Sequence, residues 1–119
     1  MKKQFRVLKN QEFQEIIKTK NFLVEAPFTL YIRKRKLAHS RIGIGVGKRL
    51  GHAVIRNKIK RQVRMMVNAI WNYDEDFDCI VMIGRQYQIK EFHKNQEILK
   101  KAYKKVKMRN VVSKGELHV

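Results

Sequence analysis

Residues 41–64 read "RIGIGVGKRLGHAVIRNKIKRQVR", and inside this stretch the apolar period changes from that of a strand to that of a helix. In its first part Ile42, Ile44 and Val46 alternate with Gly43, Gly45 and Gly47, which predicts a strand whose two faces differ. Glycine weakens a strand, so three on one face imply either a bulged, closely packed strand or a bare floor that lets another backbone approach. Gly51 then punctuates the chain. Beyond it Ile55, Ile59, Val63, Met66, Val67 and Ile70 gather into one arc at about 100° per residue, the core face of a helix. Arg56, Asn57, Lys60, Arg61 and Arg64 fall in the adjoining arc, with Lys58 further round. From Ala53 to Trp71 there is no carboxylate to neutralise these cations, although exposed helices ordinarily interleave signs because like charges four residues apart repel.

The whole chain repeats that imbalance. Among 119 residues there are 28 Lys and Arg against 10 Asp and Glu, a formal charge of +18, and such self-repulsion is relieved by a polyanionic partner. Between Glu25 and Asp74 there is no acid at all, while Arg33, Lys34, Arg35, Lys36, Arg41, Lys48 and Arg49 join the helix cations there. Nucleic acid fits this block better than a membrane, whose surface helices expose bulky apolar residues opposite the cations. The length suits one domain, residues 1–119.

Outward from the central stretch, Asn10 reads as the N-cap of a helix over 11–20 with Phe13, Ile16 and Ile17 on its apolar stripe. In "FLVEAPFTLYIRKRK" Phe28, Leu30 and Ile32 oppose Thr29, Tyr31 and Arg33, a strand with one buried face, and residues 22–24 suggest a shorter strand before Pro27. "FDCIVMIG", 77–84, is a strand buried on both faces. The lone Cys79 lies inside it, the place of a small buried residue. Apolar positions from Phe92 to Val106 predict a last helix over 89–107, followed by a tail loosely held from about residue 108. The amino terminus carries no apolar run of a signal peptide and no segment has the length of a membrane span, so a cytoplasmic protein is expected.

Catalytic chemistry is hard to find. His39, His52, His93 and His118 are scattered, Ser40 and Ser113 lack a nucleophile-elbow setting, and "GIGVGKR" meets neither glycine-loop fingerprint for nucleotides. Asp74, Glu75, Asp76 and Asp78 are the one carboxylate group that could hold magnesium in an independent nuclease, but two-metal sites draw carboxylates from separate elements, and a solvated turn is the simpler reading. No catalytic or metal-ligating residue is expected. Binding remains: Arg56, Lys60 and Arg64 recur at about 5.4 Å per turn, suited to following a phosphate backbone, with Asn57 between cations for a directed hydrogen bond. Tyr31 and Phe13 suggest an aromatic surface for a single strand, Phe13 being equally readable as core.

The helix motif "RNKIKRQVR", with Asn10-x-x-Phe13, "FTLYI", the preceding "RIGIGVGKRLGHAVI" and "CIVMIGR", resembles the protein subunit of bacterial ribonuclease P over about residues 6–107. The resemblance implies an α+β fold, an αβββαβα two-layer sandwich with a left-handed β-α-β crossover. It implies an endoribonuclease for tRNA 5′ maturation whose catalysis is carried by an RNA subunit, with precursor tRNA as substrate and no further protein partner required. Lys48, Arg49, Arg56, Asn57, Lys58, Lys60, Arg61 and Arg64 would contact the catalytic RNA, and Phe13, Ile17 and Tyr31 would line a cleft for the 5′ leader. Mg2+ would bind mainly through RNA phosphates. Ile17 stands where the family often has an aromatic residue, and Gly45 and Gly47 where it more commonly has small side chains such as serine. A general or ribosome-associated RNA-binding protein is the alternative.

Overall fold

The computed structural model describes residues 2–7 and 9–117, with side chains as far as Arg109. Its elements run α1 (Asn10–Lys18), β1 (Phe22–Glu25), β2 (Phe28–Lys34), β3 (Ile42–Val46), α2 (Ala53–Ile70), β4 (Phe77–Ile83) and α3 (Phe92–Leu117), with 3-10 turns at Lys3–Phe5 and Lys48–Leu50. This is the expected α-β-β-β-α-β-α order. The strands form one sheet in the order β1-β2-β4-β3. β1, β2 and β4 pair antiparallel. β3 lies parallel to β4 at the other edge, so α2 is the crossover between two neighbouring parallel strands.

Register assigns every strand residue to a face. Leu23, Leu30, Val81 and Ile44 align across the sheet, as do Ile32, Cys79 and Ile42. With Phe28, Phe77 and Ile83 they meet Ile59, Val63, Met66 and Val67 of α2 and Leu99, Ala102, Tyr103 and Val106 of α3 in the main core. Burial of this apolar surface holds the two long helices to the sheet. Trp71, just after α2, stacks on Tyr103 at 4.3 Å and ties the two helices together. The Tyr103 hydroxyl accepts from the Asn72 amide (3.1 Å) and donates to Glu75 (3.0 Å); burial pushes its pKa up to about 12.

The opposite face belongs to α1. This helix crosses obliquely from β3, where Phe13 lies over Gly43 and Gly45, to β2, where the Thr19 hydroxyl donates to the Ile32 carbonyl (3.4 Å). Ile16 is fully buried beneath it. Residues 6 and 7 run along the outer edge of β3, Val7 donating its amide to Ile42 (3.0 Å).

Element boundaries differ from the sequence reading in places. Asn10 is the first residue of α1 and not its cap, because the Phe13 amide already bonds to the Lys9 carbonyl (3.1 Å). α3 starts at Phe92 instead of 89, the Gln88 carbonyl being taken by the Glu91 amide and the Asn95 side chain. Its helical backbone continues beyond Val106, where the apolar period stops, to Leu117; the side chains of the tail from residue 110 lie outside the described residues, as does His118. Ile55, placed on the core face by its period, is 40% exposed, since the first turn of α2 overhangs the sheet.

Candidate nucleic-acid interface

The basic helix is positioned by the glycine before it. Gly51 has φ 133°, in the region that favours glycine, and a Cβ there would press on Ile55 at 3.3 Å. That conformation turns the chain from the 3-10 turn carrying Lys48 and Arg49 into α2. Burial of Ile59, Val63, Met66 and Val67 then fixes which way the helix faces. Asn57, Lys58, Arg61 and Arg64 are exposed, while Arg56 and Lys60 are half-buried on the flank. Lys48 and Arg49 are exposed on the approach. The first turn of α2 has no acid to complement its dipole, so the positive helix end and the side-chain cations reinforce one another.

The structure divides the long acid-free block into two populations. Arg33 and Arg41 converge on Asp78, which is wholly buried, at 3.2 and 3.4 Å. Arg41 also pairs with Glu12, and its own amide donates to Asp78 Oδ1 (2.9 Å). Arg33 reaches Glu15 (3.4 Å), which Lys36 also approaches (3.7 Å), and Arg35 donates to the carbonyls of Asp74 and Glu75. The Arg41 guanidinium bonded to Glu12 holds that carboxyl below the usual range against a smaller opposing effect of burial. These cations serve the fold, joining α1 to the sheet. Among the described residues no ion pair involves Lys48, Arg49, Arg56, Lys58, Lys60, Arg61 or Arg64. Within this block, the cations that form no ion pair among the described residues fall mainly on α2 and the turn that enters it.

The acidic loop is accounted for in the same way. Asp78 is consumed by Arg33 and Arg41, and Glu75 bonds to Tyr103 and pairs with Lys107 (3.4 Å). Among the described residues no group of three His, Cys, Asp or Glu is arranged to hold a metal ion.

A groove lies beside α1. On its side of the sheet the register aligns Phe22, Tyr31, Ile80 and Gly43 in one row, and Val24, Thr29, Met82 and Gly45 in the next. α1 covers the Ile80 end of the first row, leaving Tyr31 half-buried and the second row partly open. Phe13 and Ile17, one turn apart on α1, are both half-buried along this flank. The glycine floor turns out to admit a side chain and not a backbone. A Cβ on Gly43 would stand 3.2 Å from two Phe13 ring atoms and 2.6 Å from Ile80, whereas nothing lies within 4 Å of one on Gly47. The three cleft residues named from sequence, Phe13, Ile17 and Tyr31, are all half-buried, two on α1 and one on the sheet.

Between groove and helix is a recess of 170 Å³ against Ile42 and Gly43, with Arg6, Lys60 and Arg64 around it. It joins the basic helix to the edge of β3, so the two surfaces adjoin. Sequence reasoning did not single out Arg6, which lines this recess, or Phe22, which stands beside Tyr31. Phe22 was legible as the outward residue of a short strand, but only pairing with β2 sets it beside Tyr31.

Comparison with known proteins points to a single family. The family model described as Ribonuclease P matches residues 1–107. The chain is 40% identical over 103 residues to the Ribonuclease P protein component of Mesoplasma florum, covering 85% of this chain and 94% of that protein. It is 31% identical over 115 residues to the Ribonuclease P protein component of Streptococcus pyogenes serotype M5, covering 97% and 94%. Among solved structures, the RNase P protein of Staphylococcus aureus superposes with a TM-score of 0.71 at 32% identity over 87% of this chain and 95% of that one. That of Thermotoga maritima gives 0.65 at 30% identity over 79% and 90%.

Proposed function

The chain belongs to the ribonuclease P protein family, and from that premise we propose how it serves as the enzyme's protein component: α2 holds the catalytic RNA, while the groove beside α1 receives the 5′ leader of precursor tRNA. The observation that carries this reading is the division of cations. Those near carboxylates are spent inside the fold, and those on α2 and its entry turn form no ion pair among the described residues. Lys48, Arg49, Arg56, Lys58, Lys60, Arg61 and Arg64 then meet phosphates, with Asn57 adding a directed hydrogen bond.

Cleavage on this reading is performed by the RNA subunit, and no side chain of the protein takes part in bond breaking. The protein contributes binding. Cations on α2 lower the repulsion between two polyanions, the catalytic RNA and its substrate. Phe13, Ile17 and Tyr31 offer an uncharged, partly aromatic surface to unpaired nucleotides. Only the precursor carries a leader, so this contact favours precursor over mature tRNA. Mg2+ is held chiefly by RNA phosphates and supplies charge neutralisation and Lewis acidity there; Asp78, already bridged by two arginines, is poorly suited to it. Precursor tRNA and catalytic RNA are the proposed partners, no other protein is needed, and the cytoplasm is the proposed location.

A precursor tRNA cleavage assay at low magnesium tests the proposal, with the protein alone, a bacterial catalytic RNA alone, and both together. Cleavage that appears or rises sharply only with both supports it. A protein that binds RNA yet adds nothing to cleavage would leave a general RNA-binding role instead.

A further inference from the structure

We propose that the groove does not end at Tyr31 but continues onto the edge strand β1, where Phe22 supplies a second aromatic face for one further leader nucleotide. The inference rests on the assignment of the groove to the 5′ leader. It is carried by the placement of Phe22. Register sets this residue directly opposite Tyr31, with ring centroids 5.4 Å apart and planes tilted by 41°. The two rings stand side by side on the sheet face that α1 leaves open. Phe22 is 43% exposed and Val24, the next residue on that face, 60%.

Nothing in the fold requires an aromatic residue there. Alternation along β1 sends Leu23 to the core and Glu25 to the lysines of α3, at 2.7 Å from Lys105 and 3.7 Å from Lys101. Phe22 and Val24 are left on the groove side, where an exposed ring adds little to stability. Ile17, on the α1 wall of the same groove, presents no ring. The aromatic surface is therefore made by Phe13, Tyr31 and Phe22, and it is displaced toward β1.

The charge around Phe22 identifies the occupant as a polyanion. Exposed Lys18 and Lys20 lie just before it, Lys20 at φ 58° making the turn from α1 into the strand. Arg109 reaches across from α3 to donate to the Phe22 carbonyl (2.8 Å). An aromatic face with cations on both sides is the arrangement that holds a single strand through stacked bases and its phosphates.

The test is equilibrium binding of precursor tRNAs to the assembled protein and catalytic RNA, using a leader of normal length and one cut back to one or two nucleotides. Phe22→Ala should weaken binding of the full leader by about fivefold or more and leave the short leader unaffected, while Phe22→Trp should retain both. An unchanged melting temperature would show that the fold is intact. Should Tyr31→Ala weaken the full leader while Phe22→Ala does not, the extension to β1 is wrong and the leader groove stands. If neither variant alters the preference for precursor over mature tRNA, the groove assignment fails and the inference with it.

Discussion

The Phe13 ring fills the space that a side chain on Gly45 would take: a Cβ at Gly45 would stand 2.9 Å from Phe13 Cζ. The three glycines of β3 and its exit differ sharply in this respect, although the sequence makes them look equivalent.

Alanine at each glycine should therefore give a graded series. Gly43→Ala meets Ile80 in a fully buried place and should cost about 1–3 kcal/mol through overpacking. Gly45→Ala meets the tip of Met82, which can swing away, but tilts Phe13, so its effect should be greater on leader binding than on stability. Gly47→Ala, with open space and φ −68°, should stay within about 0.5 kcal/mol of the parent. Urea unfolding of the three variants checks the order, and equal losses would contradict the Phe13 placement.

Replacing Lys60 and Arg64 together with alanine should weaken assembly with the catalytic RNA and reduce the slope of log K against log salt by up to about two units. Lys101→Ala, whose cation is paired with Glu25 at 3.7 Å, should leave the slope nearly unchanged. Filter binding over a range of salt concentrations distinguishes the two; an unaltered slope in the α2 variant would count against that helix as the phosphate-contacting face.

Asp78→Ala removes the buried carboxylate that Arg33 and Arg41 share, leaving them with the less buried Glu12, which pairs with both. A loss of about 3–5 kcal/mol is expected, typical of removing one partner from a buried ion pair. The measurement is the unfolding midpoint in urea, with and without added Mg2+. A stable variant, or one whose defect lies in metal-dependent activity of the protein alone, would restore the nuclease reading.

Acid should loosen α1 first. The Glu12 carboxyl is held below its ordinary value, chiefly by the hydrogen bond from Arg41, so the unfolded chain binds this proton more tightly than the folded one. Its stabilising contribution is complete above the unfolded value of about 4.3 and is lost as pH falls through the lower folded value. Glu25, lowered chiefly by Lys105, acts in the same direction. Glu12→Gln should be less stable than the parent at neutral pH and lose less on acidification; identical pH dependence of the two urea midpoints would refute the assignment.

How far these features are legible in the sequence depends on the distance over which they are decided. Alternation alone places Phe28, Leu30 and Ile32 toward the core, and the helical period alone separates Ile59 and Val63 from Arg56 and Lys60, because both patterns are set by local geometry. Partnerships across the sheet are not local. Arg33 and Arg41 read as members of one unneutralised block, and only the packing of β4 between β2 and the segment entering β3 brings Asp78 to both. The same pairing logic hides Phe22 until β1 is laid against β2. The glycine face was visible as a vacancy, but its occupant comes from α1, whose angle across the sheet no period encodes. Ile55 misled because the helical period of α2 begins one turn before its burial does: Ile55 is 40% exposed, whereas Ile59 is buried.

The division of cations has a consequence for the order of events in solution. Carboxylates that hold α1 to the sheet offset part of the positive charge on that side, while α2 carries none, so the charge is unevenly spread as well as in excess. At physiological salt a polyanion's field is felt over about 8 Å, enough to rotate the approaching protein before contact. Encounters then begin with α2 foremost, at rates that fall as salt rises. The groove is uncharged along its floor and carries its cations, Lys18 and Lys20, at the β1 end, so its pull is weaker than that of α2. It is offered to its ligand after the molecule has already been oriented, so docking on the larger RNA comes first and capture of the single strand second.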